Sequence, residues 1–513
     1  MPKTSKQAVT IMVQGTASHV GKSAIAAALC RIFARAGYRV APFKSWNMAL
    51  NSYVTSDGGE IGRAQGEQAE AAGIEATVDM NPILIKPSAP GEAQVIVRGQ
   101  VYGMMGHTHR TQQEYHEFSL QVIAEALDRL RQEYEIIVLE GAGSPAEINL
   151  RQQDVANMQA AALAQAPVLL VSDLDRGGAW AASVGTVMLL PEEDRQRVAG
   201  FIINKFRGDS SLLAPALKEV TAQTGLPVFG VVPYLEEAYL AEEDGVALDD
   251  TLSSTVKGEG CLNICVLHLP HIANFTDFDA LRSEEDVSLS YTYDGLDLAG
   301  ADAIIIPGTK NSMRDLLFLQ QLGLAEAVIA RARQGLPVIG ICGGYQMLGE
   351  ELSDAEGSEF AGQATTLAGL GLLPVTTSFQ PQKTVGRASA AAQLPFAQGA
   401  AVTGYEIHMG QTKRQAHCPA AFVLADGKED GAISPQGNVW GTYLHGVFDR
   451  PGFRRAWLNK LRQRRGWQPL GESAVEDRAQ RFDALADAVE NSLDLSALYR
   501  LLGLAAQKGE HQA

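Results

Sequence analysis

The chain has 513 residues, of which 46% are hydrophobic and 20% charged, with a formal net charge of −17. That length exceeds one compact core and points to about two to four domains, and the acidic balance argues against nucleic acid or an anionic membrane as partner. No apolar run approaches the roughly 18 residues of a membrane span, and the apolar start of MPKTSKQAVTIMVQG leads straight into a glycine loop, which argues against a signal peptide. Five cysteines (Cys30, Cys261, Cys265, Cys342 and Cys418) show no disulfide framework and suit a reducing cytoplasm. Cys261 and Cys265 lack the partner pairs of a zinc site and read as ordinary thiols.

Val9–Ser23 reads as an apolar strand, a glycine loop (Gly15 to Gly21) and then Lys22-Ser23 opening an Ala-rich helix. Strand, loop and helix in that order make a phosphate-binding site: backbone N–H groups turn toward phosphate oxygens at the positive end of a helix. Lys22 is placed to reach the β/γ-phosphates and the Ser23 hydroxyl to hold Mg²⁺. Five residues, Thr16 to Val20, separate the glycines, one more than the usual spacing.

A second short strand over Arg39–Phe43 ends at Lys44, and a polar loop, SWNMALNSYVTSDGGEIGRAQ, follows. Asp57, before Gly58-Gly59, reads as a turn residue or a metal ligand. Ile136–Leu139 is a buried-strand pattern ending in Glu140, where a carboxylate serves Mg²⁺ beside a phosphate loop. The same design recurs at Ala166–Gly178, with Asp173, Asp175 and Arg176, and at Val198–Asp209, where Asn204 and Lys205 end the strand. Leu226–Tyr234 reads as the last strand of this domain. Strands alternating with helical segments predict a doubly wound, mostly parallel sheet.

GTASHVGKS and the acid-ending EGAG strand resemble the dethiobiotin synthetase-like branch of P-loop NTPases. NMALNS, DGGEIGRAQ and EGAGSPAEINL resemble the cobyric acid synthase family of glutamine-dependent amidotransferases. The resemblance implies ATP binding by Gly15, Thr16, Val20, Gly21, Lys22 and Ser23. It further implies Mg²⁺ on Ser23, Asp57 and Glu140, phosphoryl transfer assisted by Lys44, and adenine contact by Asn204.

Acidic, turn-rich sequence over 233–260 reads as a linker. A new strand starts at Leu262, and ADAIIIPGTKNS runs into Pro307-Gly308. Leu336–Leu352 then carries Gly340-Ile341-Cys342-Gly343-Gly344, the cysteine form of a nucleophile elbow, in which a sharp strand-to-helix turn presents the thiol. A cysteine nucleophile needs a proton shuttle. His445, at the end of an apolar strand, is the best placed and His408 its rival.

The elbow, the Pro-Gly turn and TYLHG resemble a class I glutamine amidotransferase domain of the cobyrinate/cobyric acid synthase type, as do LPHIANFTDFDAL and GYEIHMGQT. By that resemblance Cys342 attacks glutamine, His445 shuttles the proton, and the N–H groups of Gly308 and Gly343 form the oxyanion hole. The usual acid two residues after the histidine is replaced by Val447. Either a dyad suffices or another acid substitutes, Glu406 being one stand-in.

The expectation is an α/β chain with two doubly wound domains, a P-loop synthetase over 1–232 and an amidotransferase over 261–452, followed by a helical extension over 453–513. The resemblance implies a corrinoid acceptor, with ATP, Mg²⁺ and L-glutamine, in the cytoplasm. The sequence shows no corrinoid-gripping residue. Arg63, Arg176 and Arg207 are candidates, though the surface or structural reading is the better one, and homo-oligomerisation is left open. Two alternatives remain: the sister a,c-diamide synthase, and an ATP-driven switch with an inactive amidotransferase module.

Overall fold

The computed structural model describes residues 8–89, 92–105, 111–235, 260–359, 363–472 and 478–504. The linker expected over 233–260 falls almost entirely outside the described residues.

The first domain is built on six parallel strands in the order Val228–Pro233, Val198–Phe206, Val168–Asp173, Val9–Gly15, Ile136–Glu140, Val40–Phe43. The central strands are near-continuous apolar runs because both faces are covered, as parallel sheets require. Val9–Gly15 is flanked by strands that arrive much later in the chain, so the crevice beyond its carboxyl end is where such a fold binds ligands.

The second domain repeats the plan. Val287–Thr292, Leu262–Leu267, Ala303–Ile306, Val338–Ile341 and Val439–Thr442 run parallel, with Ala432–Ile433 antiparallel at the edge.

Three features depart from the sequence reading. The stretch after Lys44, expected to be a polar loop, contains the strand Trp46–Met48 and a hairpin of Ser52–Val54 with Glu60–Gly62. Trp46–Met48 joins Ile83–Ala89, Glu92–Val97 and Gln100–Met104 in a second, four-stranded sheet. In the second domain the long antiparallel strands Val375–Ala392 and Ala401–Arg414 are inserted between the cysteine strand and the histidine strand.

The C-terminal helices are the third departure, for they do not form one extension. Pro451–Arg464 packs on the second domain, where Arg454 and Arg455 pair with buried Glu284. Arg478–Glu490 returns to the first domain and lies against the helix Lys22–Arg35, with the Arg31 guanidinium forked onto Asp483 at 2.8 and 2.9 Å. The domains also meet directly. The Ser52 N–H donates to Asn274 Oδ1 at 2.8 Å, and the Phe275 N–H donates to Asn51 Oδ1 at 3.0 Å. Among the described residues no helix is long and apolar enough to cross a membrane.

Candidate functional site

Two sites stand at carboxyl ends of the two parallel sheets. In the first, Gly21 takes φ 96°, a left-handed conformation that suits glycine, and the helix Lys22–Arg35 begins at the next residue. The Lys22 ammonium is folded back onto the loop, donating to the carbonyls of Ala17 at 2.9 Å and Gly143 at 3.2 Å. The Thr16 N–H donates to the Val171 carbonyl at 2.9 Å, tying the loop to the neighbouring strand.

Ser23 Oγ donates to Glu140 Oε1 at 2.8 Å, and Lys44 Nζ donates to the same oxygen at 3.0 Å. Gln68 Nε2 donates to Glu140 Oε2 at 2.6 Å. Burial alone would raise the Glu140 pKa, but Lys44 and the hydrogen bonds from Gln68, Lys44 and Ser23 lower it, keeping a carboxylate there. Gln68 Oε1 is fully buried and has no hydrogen-bond partner. An orphaned oxygen beside a hydroxyl and a carboxylate fits Mg²⁺, which takes oxygen ligands and uses few from the protein.

One expectation changes here. Asp57 does not join Ser23 and Glu140. It sits exposed at the turn of the Ser52–Gly62 hairpin, bonded to the Thr55 hydroxyl, and that hairpin is held against the second domain by Arg387, whose Nε donates to the Val54 carbonyl at 3.0 Å. Asn204 braces the phosphate loop, its Nδ2 donating to the Val20 carbonyl at 2.9 Å. Lys205 beside it donates to the His19 carbonyl at 2.6 Å.

Of the three arginines considered for substrate, Arg63 is buried against Glu67 at 3.0 Å. Arg207 pairs with Asp175 at 2.9 Å and lies over the Tyr234 ring. Arg176 is exposed.

In the second site, Cys342 has φ 50° and ψ −105°, a strained backbone that a strand-to-helix elbow imposes, and Gly343 opens the helix Gly343–Met347 directly after it. Gly308 is alongside: a Cβ there would be 2.9 Å from His445 Cε1 and 3.8 Å from Cys342 Cβ. His445 is buried and its ring is held from three sides. Nδ1 is 2.7 Å from Asp277 Oδ2, and Nε2 is 3.4 Å from Asn274 Nδ2. Tyr405 stacks on the imidazole with centroids 5.1 Å apart, while backbone hydrogen bonds join residues 405 and 445 in both directions. That close pairing requires Gly404, because a Cβ would come within 1.9 Å of the His445 carbonyl oxygen.

Burial works against a charged His445, but the Asp277 carboxylate and the hydrogen-bonded Cys342 side chain outweigh it, and its pKa is pushed up to about 10. His408 is not equivalent. Its Nδ1 is 2.8 Å from the Gly410 carbonyl and its Nε2 is 3.6 Å from Glu406. Glu406 therefore attends His408, and the acid behind His445 is Asp277. The arrangement is a cysteine–histidine–aspartate triad of the kind that performs acyl transfer.

Comparison with known proteins bears on both halves. Residues 11–248 match the CobQ/CobB/MinD/ParA nucleotide-binding domain family, and residues 263–453 match the CobB/CobQ-like glutamine amidotransferase domain family. The cobyric acid synthase of Pelotomaculum thermopropionicum is 51% identical, with 97% of both chains covered. The chain belongs to the cobyric acid synthase family. Members from Sorangium cellulosum and Citrobacter koseri are 49% and 48% identical, over 97% and 96% of this chain and 99% and 98% of theirs. The protein is thus a glutamine-using amidotransferase ligase, with a nucleotide-binding domain followed by an amidotransferase domain.

Asp277, Asn274 and Gln68 are the residues the structure brings to the two sites that the sequence did not single out. Asn274 and Asp277 lie inside LPHIANFTDFDAL, a stretch already set apart by resemblance, but nothing local ties an acid there to a histidine 168 positions later. Gln68 lies on the helix Arg63–Ala71, and no spacing rule marks a glutamine as facing a phosphate loop.

Proposed function

We propose that the protein amidates the b, d, e and g carboxylates of adenosylcobyrinic acid a,c-diamide, using ATP and glutamine, to give cobyric acid. A carboxylate is a poor electrophile at neutral pH, and transfer of a phosphoryl group from ATP makes an acyl phosphate with a good leaving group. Ammonia, mostly protonated in free solution, is best released from glutamine inside the protein and used before it gains a proton.

Cys342 Sγ attacks the glutamine amide carbon. The proton held on His445 goes to the departing nitrogen, giving ammonia and a glutamyl thioester that water hydrolyses. The N–H groups of Gly308 and Gly343 stabilise the oxyanion. Asp277 holds the imidazole in place and favours its charged form. In the synthetase domain the phosphate loop and Lys22 bind the triphosphate, and Lys44 assists transfer. Asn204 keeps the loop in shape, and any adenine contact falls to its remaining amide oxygen. Ser23 and Glu140, with the Gln68 oxygen, would hold Mg²⁺, which offsets phosphate charge when bound. The reducing-compartment cysteine usage supports a cytoplasmic location.

One observation carries this reading. The triad and the phosphate loop share a chain whose two domains are hydrogen-bonded at Asn274, beside the triad histidine. The test is mass spectrometry of corrinoids incubated with purified protein, ATP, Mg²⁺ and glutamine. Four successive replacements of OH by NH₂ on the a,c-diamide support it. No change there, but two replacements on cobyrinic acid, assigns the sister reaction instead.

A further inference from the structure

The pocket that contains Cys342 and His445 is not walled by the amidotransferase domain alone. Lys86, from the synthetase strand Ile83–Ala89, lines it together with Lys310 and Lys383 of the second domain. Lys86 and Lys383 approach one another through a single carboxylate, Glu60, which is 1% exposed. Lys86 Nζ donates to Glu60 Oε1 at 2.9 Å, and Lys383 Nζ donates to Glu60 Oε2 across the domain boundary.

The Ser52 hydroxyl links Lys86 and Glu60, each at 2.7 Å, and the Ser52 N–H binds Asn274, the residue beside His445. Lys383 also reaches Gln94 Oε1 at 3.3 Å and lies within the register break between Phe379 and Thr384, where the long strand leaves its ladder. Asn274 has φ 54° and ψ 37°, a left-handed conformation uncommon outside glycine, at the point where the domains touch.

A buried carboxylate between two lysines is costly to assemble, and removing the carboxylate leaves both lysines buried without their shared partner. Burial pushes the Lys383 pKa down to about 7, while Glu60 is held well below the usual carboxylate range by Lys383 and Lys86 against the opposing effect of burial. Lys86 and Lys383 wall the pocket on the side of the first domain, where ammonia bound for that domain must leave. Lys383 to Glu60 is an ion pair between the two domains, as are Arg314 to Glu92 and Arg387 to Glu75, and a small shift between the domains would break it.

We propose that Glu60, Lys86 and Lys383 close the synthetase side of the glutaminase pocket and form the gate through which ammonia passes to the acyl phosphate. The Ser52–Asn274 bond ties the gate to the catalytic histidine. Glu60, Lys86 and Lys383 are positioning residues: they touch neither the thioester nor the phosphoryl group. The inference rests on the amidation reading above.

The test uses the full chain and two variants, Lys383→Met and Glu60→Gln, each read by ratios that do not depend on how much protein folds. The first ratio is glutamate released per amide formed. The second is the share of labelled nitrogen in the product when amide-¹⁵N glutamine competes with unlabelled ammonium. The wild type is expected to form about one amide per glutamate and to keep nearly all of the label. Both variants are expected to release glutamate in several-fold excess and to lose label to bulk ammonium, with ammonium-driven synthesis within about twofold of wild type. Ratios matching wild type in both variants overturn the gate and leave the amidation reading standing. Ammonium-driven synthesis falling in step with glutamine-driven synthesis assigns the cluster a purely structural role. A wild type that forms no amide from either nitrogen source overturns the amidation reading and the gate with it.

Discussion

The two sites share a local plan, a parallel strand passing through a left-handed residue into a helix, yet they are completed in opposite ways. At Cys342 the histidine is already fixed: Asp277 holds His445, and Asn274 and Tyr405 fix the ring. At the phosphate loop, Lys22 rests on backbone carbonyls and Gln68 Oε1 has no partner. A triad must be ready before glutamine arrives, because a misplaced proton shuttle costs rate directly. A phosphate loop presents its N–H groups at a helix N-terminus, and the anion supplies their partners when it binds.

The sharpest way to break this comparison is to remove one chemical group from each site. Cys342→Ala is expected to lower glutamine-driven synthesis by at least about 10³-fold while free ammonium still supports amidation. Lys22→Ala is expected to abolish synthesis from both nitrogen sources. Initial rates with each source check the pair, and loss of ammonium-driven synthesis in the cysteine variant would refute separate roles for the two sites.

A smaller effect sharpens the claim that the triad is pre-assembled. Asp277→Asn keeps the shape but removes the charge, and glutaminase kcat is expected to fall by about 10²–10⁴-fold. The same pair links folding to pH. The histidine has an ordinary value of 6.5 and is raised to about 10 in the fold. Its protonation therefore stabilises the fold fully below about pH 6.5, and that contribution is lost as pH rises through about 10. Denaturant titrations across that window should show a decline in wild type that Asp277→Asn largely lacks.

The smallest effect tests how the C-terminal helix is attached. Arg31 and Asp483 are partly exposed, so Arg31→Ala is expected to cost roughly 0.2–1 kcal/mol of stability and to leave glutaminase rates unchanged. Loss of glutaminase in that variant would show the helix acting on the triad.

Local pattern made much of this legible. An apolar run ending in Gly-Lys-Ser or Gly-x-Cys-Gly-Gly carries its strand, its turn and its reactive group within about a dozen residues, because backbone conformation and helix-end electrostatics are local. The same logic placed Glu140 and Lys44 at strand ends, where the parallel sheet brings them together at 3.0 Å. Asp57 failed for the complementary reason: an acid before two glycines has the chemistry of a ligand, but the Ser52–Gly62 hairpin aligns it with the domain boundary. The small four-stranded sheet escaped notice because short strands such as Trp46–Met48 are stabilised by distant partners and carry little pattern of their own.

The sequence by itself determined the two nucleating turns, the parallel character of both main sheets, and the pairing of a nucleotide site with a thiol site. Those follow from periodicity and turn chemistry, which act over a few residues. Only the tertiary structure decided that Asp277 stands behind His445, that Gln68 faces Glu140, that Glu60 lies between lysines of two domains, and that the last helices return to the first domain. Each of those is a meeting of side chains far apart in the chain, set by strand order and domain packing, and no local spacing encodes it.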